Sequence, residues 1–278
     1  MNEIMTPIQR LTRDLANAAY TLSDAEARFL VDSYYVMQDA RIRADGQIRS
    51  INKSPVEVTN AAGEIEMVAE PHEILSWFSQ QNADMENQIK RALSRYVEKH
   101  PMGQWMDSIF GIGPVIAAGL LAHIDIHQAP TVGHIWRFAG LDPTSRWEKK
   151  TKRPWNAKLK VLCWKAGESF VMFHKDERCQ YGHFYASQKT VYAARNGAGD
   201  YATRAATILT EKKYNQDTDA YKAYSVGKFP PAHIHAMARR YAVKLFLSHL
   251  HGEMYRRMLG KGPPLPYPIA HMGHVHII

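Results

Sequence analysis

A mainly α-helical fold class is what this sequence predicts, for three reasons. Apolar residues recur at helical spacing in two stretches: Phe29, Leu30, Tyr34 and Met37 in one, and Ile74, Leu75, Phe78, Met85, Ile89, Leu93 and Val97 in the other. Helix punctuation brackets them. Ser23-Asp24-Ala25-Glu26 has the form of a capping box, and His100-Pro101 is a stop, because the residue before a proline resists helical angles. No βαβ pattern, phosphate loop or dinucleotide fingerprint interrupts the helical reading.

The elements follow in order. Residues 1–50 read as helical. Residues 46–72 carry the turn pairs Asp45-Gly46, Ser54-Pro55, Ala62-Gly63 and Glu70-Pro71 around Val56-Glu57-Val58 and Ile65-Glu66-Met67-Val68, which predicts a small β-hairpin near 46–70. A second helix covers 72–99, its stripe suited to packing or to pairing with a copy of itself. Residues 104–141 hold a hairpin and a following helix from His134 to Gly140. Helices are expected over 155–175, 180–195, 200–214 and, after Pro230-Pro231, from His233 to Leu259. The domain reading is an N-terminal helical arm over 1–100, a second domain over 101–260, and an irregular His- and Pro-rich tail over 261–278.

Hydrophobic residues make up 45% of the 278, enough for a sizeable core. The 35 Lys and Arg outnumber the 27 Asp and Glu, a formal +8 that favours a polyanionic partner. The 2 cysteines, Cys163 and Cys179, form no CxxC, which fits a reducing compartment and argues against a disulfide scaffold or zinc ribbon. Met1 to Arg13 is polar and mixed, unlike a signal peptide, and no run reaches the roughly 18 apolar residues of a membrane helix. The expectation is a cytoplasmic protein with no membrane partner.

The most informative stretch is Ile109-Phe110-Gly111-Ile112-Gly113-Pro114-Val115-Ile116-Ala117-Ala118. It reads as a helix-hairpin-helix. Its glycines allow turn angles that a Cβ hinders and let the main chain approach a ligand closely. The second helix begins with unpaired N–H groups and the positive end of its dipole, a site for a phosphate oxygen. Gly111, Ile112, Gly113 and Val115 are therefore candidate phosphate-backbone contacts; an ordinary helix–helix turn is the plainer account of the motif taken alone.

From Asp142 to Lys165 positive charge is concentrated. Arg146, Lys149, Lys150, Lys152, Arg153, Lys158 and Lys160 are candidate phosphate contacts. Trp147 and Trp155 either stack on unpaired bases or anchor the loop, whereas Trp164, inside a helix, is expected in the core.

Residues 85–195, and more weakly 230–255, resemble the C-terminal domain of the insertion-sequence transposases whose catalytic domain is of the DEDD, RuvC-like type. The resemblance rests on a helix ending near His100, then Ser108-Ile109-Phe110-Gly111-Ile112-Gly113-Pro114-Val115-Ile116-Ala117-Ala118, then Trp136-Arg137-Phe138-Ala139-Gly140-Leu141-Asp142-Pro143, then Trp155-Asn156-Ala157-Lys158-Leu159-Lys160. It implies a DNA-binding domain from a mobile element or phage. Residues 1–72 show no strand ending in aspartate, so the metal-dependent nuclease half is not expected here. The family's strand-transfer nucleophile is a serine in the loop after the Ala-Gly-Leu motif. The matching position is Ser145, in a setting without glycines; its plainer role is to cap the loop or touch phosphate.

Histidine is frequent, with 14 residues. His271, His274 and His276 in the tail, and His233, His235, His249 and His251 in the last helix, have spacings that can bind Zn or Ni, but an adventitious tract is the plainer account. His123 and His127, four apart, are suited to one helix face or to a helix end. No cofactor and no metal is expected. The leading expectation is a DNA-binding protein, likewise expected as a homodimer, that recognises duplex or branched DNA by structure. A serine-dependent transposase or recombinase, and an RNA- or protein-interaction module on the same scaffold, are the alternatives.

Overall fold

The computed structural model describes residues 11–53, 56–59, 61–68 and 73–265. The fold is mainly α. The chain divides into two compact units, Met1–Gly103 with Ala117–His123, and Gln104–Ile116 with Ile124–Ile278, each taken over its described residues.

The first unit holds α1 (Arg13–Ala18), α2 (Asp24–Lys53), β1 (Val56–Thr59), β2 (Ile65–Val68) and α3 (Glu73–Lys99). The capping box forms: the Ser23 amide donates to Glu26 Oε2 at 2.8 Å and the Glu26 amide to Ser23 Oγ at 3.3 Å. α2 and α3 run antiparallel, tied at intervals. Tyr96 Oη donates to Asp24 Oδ1 at 2.8 Å, Arg41 Nε to Glu86 Oε1 at 2.6 Å, and Ser79 Oγ to Asp45 Oδ1 at 2.5 Å.

The expected turn at Asp45-Gly46 does not form; α2 continues to Lys53. A helical glycine costs about 1 kcal/mol relative to alanine. Here the contacts on both sides outweigh it, since Asp45 is held by Arg41 as well as Ser79. The expected hairpin is present, β1 pairing antiparallel with β2 in the register Val56↔Val68 and Thr59↔Ile65, with Gly63 at φ 82 in the turn. Ser54-Pro55 and Glu70-Pro71 lie outside the described residues, as do His271, His274 and His276.

Only part of the α3 stripe is core. Ile89, Leu93 and Val97 are buried, while Ile74, Phe78 and Met85 are exposed, as is Phe29 on α2.

The second unit is organised on α11 (Pro231–Leu259). It packs against α8 (Gln180–Gly197), α7 (Ala157–Met172) and α6 (Val132–Phe138). Phe246 on α11 meets Phe170 on α7 at 5.5 Å and Tyr181 on α8 at 5.3 Å between ring centroids. α11 opens on Pro231 in its first turn and stops at Gly260 in the left-handed conformation.

A satellite core gathers α9 (Ala202–Glu211) and α10 (Asp219–Ser225), the latter unanticipated in the sequence, around Tyr201, Tyr224 and Phe229. Asn196 clamps the approach to α11 by donating to Phe229 O at 3.0 Å and accepting from its amide at 2.8 Å.

The α11 imidazoles are used in packing. His233 bonds Tyr224 Oη at 2.9 Å, His235 bonds Tyr185 Oη at 2.7 Å, His249 bonds Tyr181 Oη at 2.7 Å, and His251 bonds Ala129 O at 2.9 Å. Among the described residues no group of three or more His, Cys, Asp or Glu is placed to hold a metal, and no helix is long and apolar enough to cross a membrane. His123 ends α5 (Pro114–His123) and His127 lies in a separate 3₁₀ turn, Ile126–Gln128, so the two do not share one helix face.

Two stability predictions follow from this packing. Glu86 is buried and Arg41 partly so, with side-chain exposures of 8% and 28%. Glu86→Ala should cost on the order of 2 kcal/mol, less than a fully buried pair, seen as a lower urea midpoint. His233 stacks on Phe229 at 4.1 Å, and burial, then Arg240, Arg204 and Lys212, hold its pKa down to about 4. The neutral form is the folded one. Its contribution is therefore complete above the unfolded value of about 6.5 and is lost as pH falls toward 4. His233→Asn should flatten that part of the stability–pH curve.

Candidate nucleic-acid interface

The first component is the hairpin. α4 (Gly103–Ser108) leads into the turn Ile109–Gly113, and α5 starts at Pro114. Gly111 has φ 96, and the Ile112 amide donates to Ile109 O at 3.0 Å to close the turn. Ser169 Oγ on α7 donates to Gly111 O at 2.5 Å. A Cβ at Gly111 would lie 3.2 Å from that hydroxyl, so both backbone angle and space favour glycine.

Gly113 differs. Its φ is not in the left-handed range, and a Cβ there would meet nothing within 4 Å. Its bareness leaves space outside the turn, beside the first turn of α5, whose N–H groups lack intrahelical acceptors as at any helix start. Ile112 and Val115 are buried, so at those positions only the main chain is available to a ligand. Arg178, which the sequence reading missed, lies over the Phe110 ring with its guanidinium carbon 4.1 Å from the centroid. Its hydrogen bonds to Asp176 hold that carboxyl down to about 2.

The second component is the corner that launches the basic loop. α6 ends with the Gly140 amide donating to Arg137 O at 3.0 Å and the Leu141 amide to Trp136 O at 2.8 Å, with Gly140 at φ 65. This is a Schellman stop, and it accounts for the Ala-Gly-Leu sequence. Trp155 packs on the bare Gly140, where a Cβ would fall 2.8 Å from the ring. Asn156 then starts α7, its Oδ1 accepting from the Lys158 and Leu159 amides at 2.9 and 3.0 Å, while its own amide donates to Phe138 O at 2.8 Å.

Trp155 is thus an anchor. It carries Lys160 Nζ at 4.2 Å from its ring centroid. Trp147 is exposed, pinned by its indole N–H to Thr151 O at 2.9 Å, with Arg153 over the ring at 5.1 Å. Trp164 is not core: it is half exposed on α7, with Arg239 over its ring at 5.4 Å. The α7 face behind it is filled by Leu162, Cys163 and Ala166 instead.

Arg146, Lys149, Lys150, Lys152, Arg153, Lys158 and Lys160 are all exposed, with Lys150 at φ 70 marking the loop tip. Burial, then Arg153 and Arg240, lower the Lys160 pKa; Arg239 and Arg204 act the same way on Arg240 after its own burial. The loop cations and those of α11 are therefore electrostatic neighbours. The sequence reading missed Arg240 and Lys244. The available signal was their placement one turn apart on the last helix.

Ser145 Oγ donates to Asp142 Oδ2 at 3.5 Å. Asp142 also accepts from the Thr144 amide at 2.9 Å and Oγ1 at 2.8 Å, and the amide bond lowers its pKa. A carboxylate so stabilised in its charged form is a weak base for activating a hydroxyl.

The hairpin pair gives a test. Gly111→Ala should destabilise the protein by on the order of 1 kcal/mol through its positive φ and the Ser169 contact, read by chemical denaturation. Gly113→Val should leave the midpoint within error.

A model of the transposase IS116/IS110/IS902 family matches residues 103–177. That span begins with α4 and ends just before Arg178, so it takes in the hairpin, the Schellman corner, the basic loop and all of α7. No curated protein and no solved structure matches the chain. The family match fits a mobile-element function and supports a transposase-related domain over residues 103–177.

Proposed function

We propose that this chain is a DNA-binding protein of a mobile element or phage, holding the phosphate backbone by helix-hairpin-helix and basic loop and selecting DNA by structure rather than base sequence. The observation that carries this reading is the loop itself. Arg146, Lys149, Lys150 and Lys152 are exposed on a segment whose two ends are fixed by Gly140, Trp155 and Asn156. Cations presented on an ordered corner, with no carboxylate paired to these four among the described residues, suit an extended polyanion. Similarity to a transposase family suggests that the polyanion is DNA.

α7 links the two components. Ser169 holds the hairpin and Lys160 the loop corner, roughly 14 Å apart at the rise of an α-helix. Exposed apolar residues on α3, Trp77, Phe78 and Met85, support pairing of two copies through the arm.

A second reading rests on the Ser145–Asp142 contact: strand transfer with Ser145 as nucleophile. The low basicity of Asp142 weighs against it.

The test is a binding titration on duplex and four-way-junction DNA over a salt series, with Mg²⁺ present and products run on a denaturing gel. Neutralising about four phosphates gives a log–log salt slope on the order of −4. Charge reversal at Lys149, Lys150, Lys152 and Arg153 should abolish binding at moderate salt, and Gly113→Val should weaken it without loss of helicity. Binding that ignores salt would refute the reading. Strand joining that disappears in Ser145→Ala would replace it with the second.

A further inference from the structure

Beside the basic loop, the second unit contains a groove of about 660 Å³ walled by α6, α8, α9 and α11. Its volume lies in the range of roughly 300 to 1,000 Å³ usual for sites that enclose a small organic ligand. Trp136, Tyr192 and Tyr241 supply aromatic walls, and Arg204, Arg240 and Lys244 supply positive charge. Most of this wall lies on α8, α9 and α11, beyond the residues matched by the transposase family.

The charge of Arg204 and Arg240 in the groove is not internally neutralised. Among the described residues no carboxylate pairs with Arg204 or Arg240. The acidic lining residue, Glu253, is occupied by Arg256 at 2.6 Å and Arg257 at 3.0 Å. Arg240 is accessible from the groove, yet sits among enough protein for burial and the adjacent Arg239 and Arg204 to lower its pKa. Lys244 Nζ lies 4.2 Å from the Trp136 ring centroid, and the Trp136 indole N–H donates to Lys244 O at 3.2 Å, which fixes cation and aromatic together.

The groove is also continuous with the loop in its charge. Arg240 acts on Lys160 at the loop corner, while Lys244 is partly offset by the Asp142 carboxylate at the loop's start. Cations that follow a backbone, joined to aromatic walls that accept a base of any sequence, form the general pattern of single-strand recognition. A recess beside such a track is where an extruded base goes when a protein removes it from the stack.

We propose that the groove receives one unstacked nucleotide of the DNA strand held by the hairpin and basic loop. The base lies against Trp136, Tyr192 and Tyr241, and the flanking phosphate meets Arg204, Arg240 and Lys244. This inference rests on the DNA-binding reading above and adds a structural preference: a strand with an unpaired nucleotide over a fully paired one.

The experiment compares two fluorescent duplexes of the same sequence, one fully paired and one with a single unpaired 2-aminopurine. Wild-type protein should bind the second about tenfold or more tightly and change the 2-aminopurine emission. Arg240→Gln with Lys244→Gln should remove the emission change and bring the two duplexes to equal affinity, whatever the lost charge costs both alike. Arg204→Gln, on an exposed position of α9, gives the same reading if the double variant fails to fold. Equal affinity for the two duplexes with unchanged emission would overturn the inference, leave the DNA-binding reading standing, and assign the groove to another occupant such as a peptide segment. Survival of the preference in the variants would overturn it too. Absence of binding to either duplex would refute the DNA-binding reading, and the inference with it.

Discussion

The packing of Trp155 on Gly140 is the contact on which the candidate interface depends. It closes a long excursion of chain back onto the helix it left, so the cationic segment between them is a loop with two fixed ends. The Asn156 amide reaching Phe138 O reinforces the closure, and the same residue's side chain begins α7. Without this corner the lysines would belong to a free tether, and each would lose conformational entropy on meeting a phosphate. With it, that entropy has already been lost in folding.

Positive charge is distributed unevenly. Near the ends of α11 and α8, arginines are matched to carboxylates, as in Arg257–Glu253 and Arg195–Asp200. Around Lys160, Arg240 and Lys244 burial moves the pKa values down first, and repulsion from neighbouring arginines adds to it, although Asp142 offsets part of the effect at Lys244. Mutual repulsion of this kind lowers the stability of the free protein, and binding of an anion relieves it. The aromatic rings beneath several of these cations, Trp136 under Lys244 and Trp155 under Lys160, offset part of the repulsion in the unliganded state.

What was legible in the sequence depended on whether the signal was local. The Ser23 capping box, the β-hairpin strands, the turn at Gly111 and the proline start of α11 are set by neighbours in the chain, and each lies where the pattern places it. Gly46 misled because the contacts that hold α2 straight through it come from Ser79, far along the chain. Trp164 misled because hydrophobicity does not say which face of a helix is covered; the smaller Ala166 and Cys163 sit inward and the indole lies under Arg239. The groove was invisible for the same reason, since its walls are brought together only by the packing of α11 on α6 and α8. The loop, by contrast, announced itself by composition alone, because cations without buried partners need no fold to be recognised.

α5 belongs to both compact units: Pro114 to Ile116 fall in one, and Ala117 to His123 in the other, where the Arg28 guanidinium donates to Ala122 O. The chain is therefore interleaved, and the boundary of sequence relatedness near residue 103 is not a boundary of folding. A fragment cut there would carry the second half of α5 away from the N-terminal residues with which it clusters, leaving Ala117, Ala118, Leu120 and Leu121, all buried in the intact chain, without part of their cover. Evolutionary exchange or laboratory transplantation of the transposase-like segment has to bring the helical arm with it, or replace that cover from elsewhere.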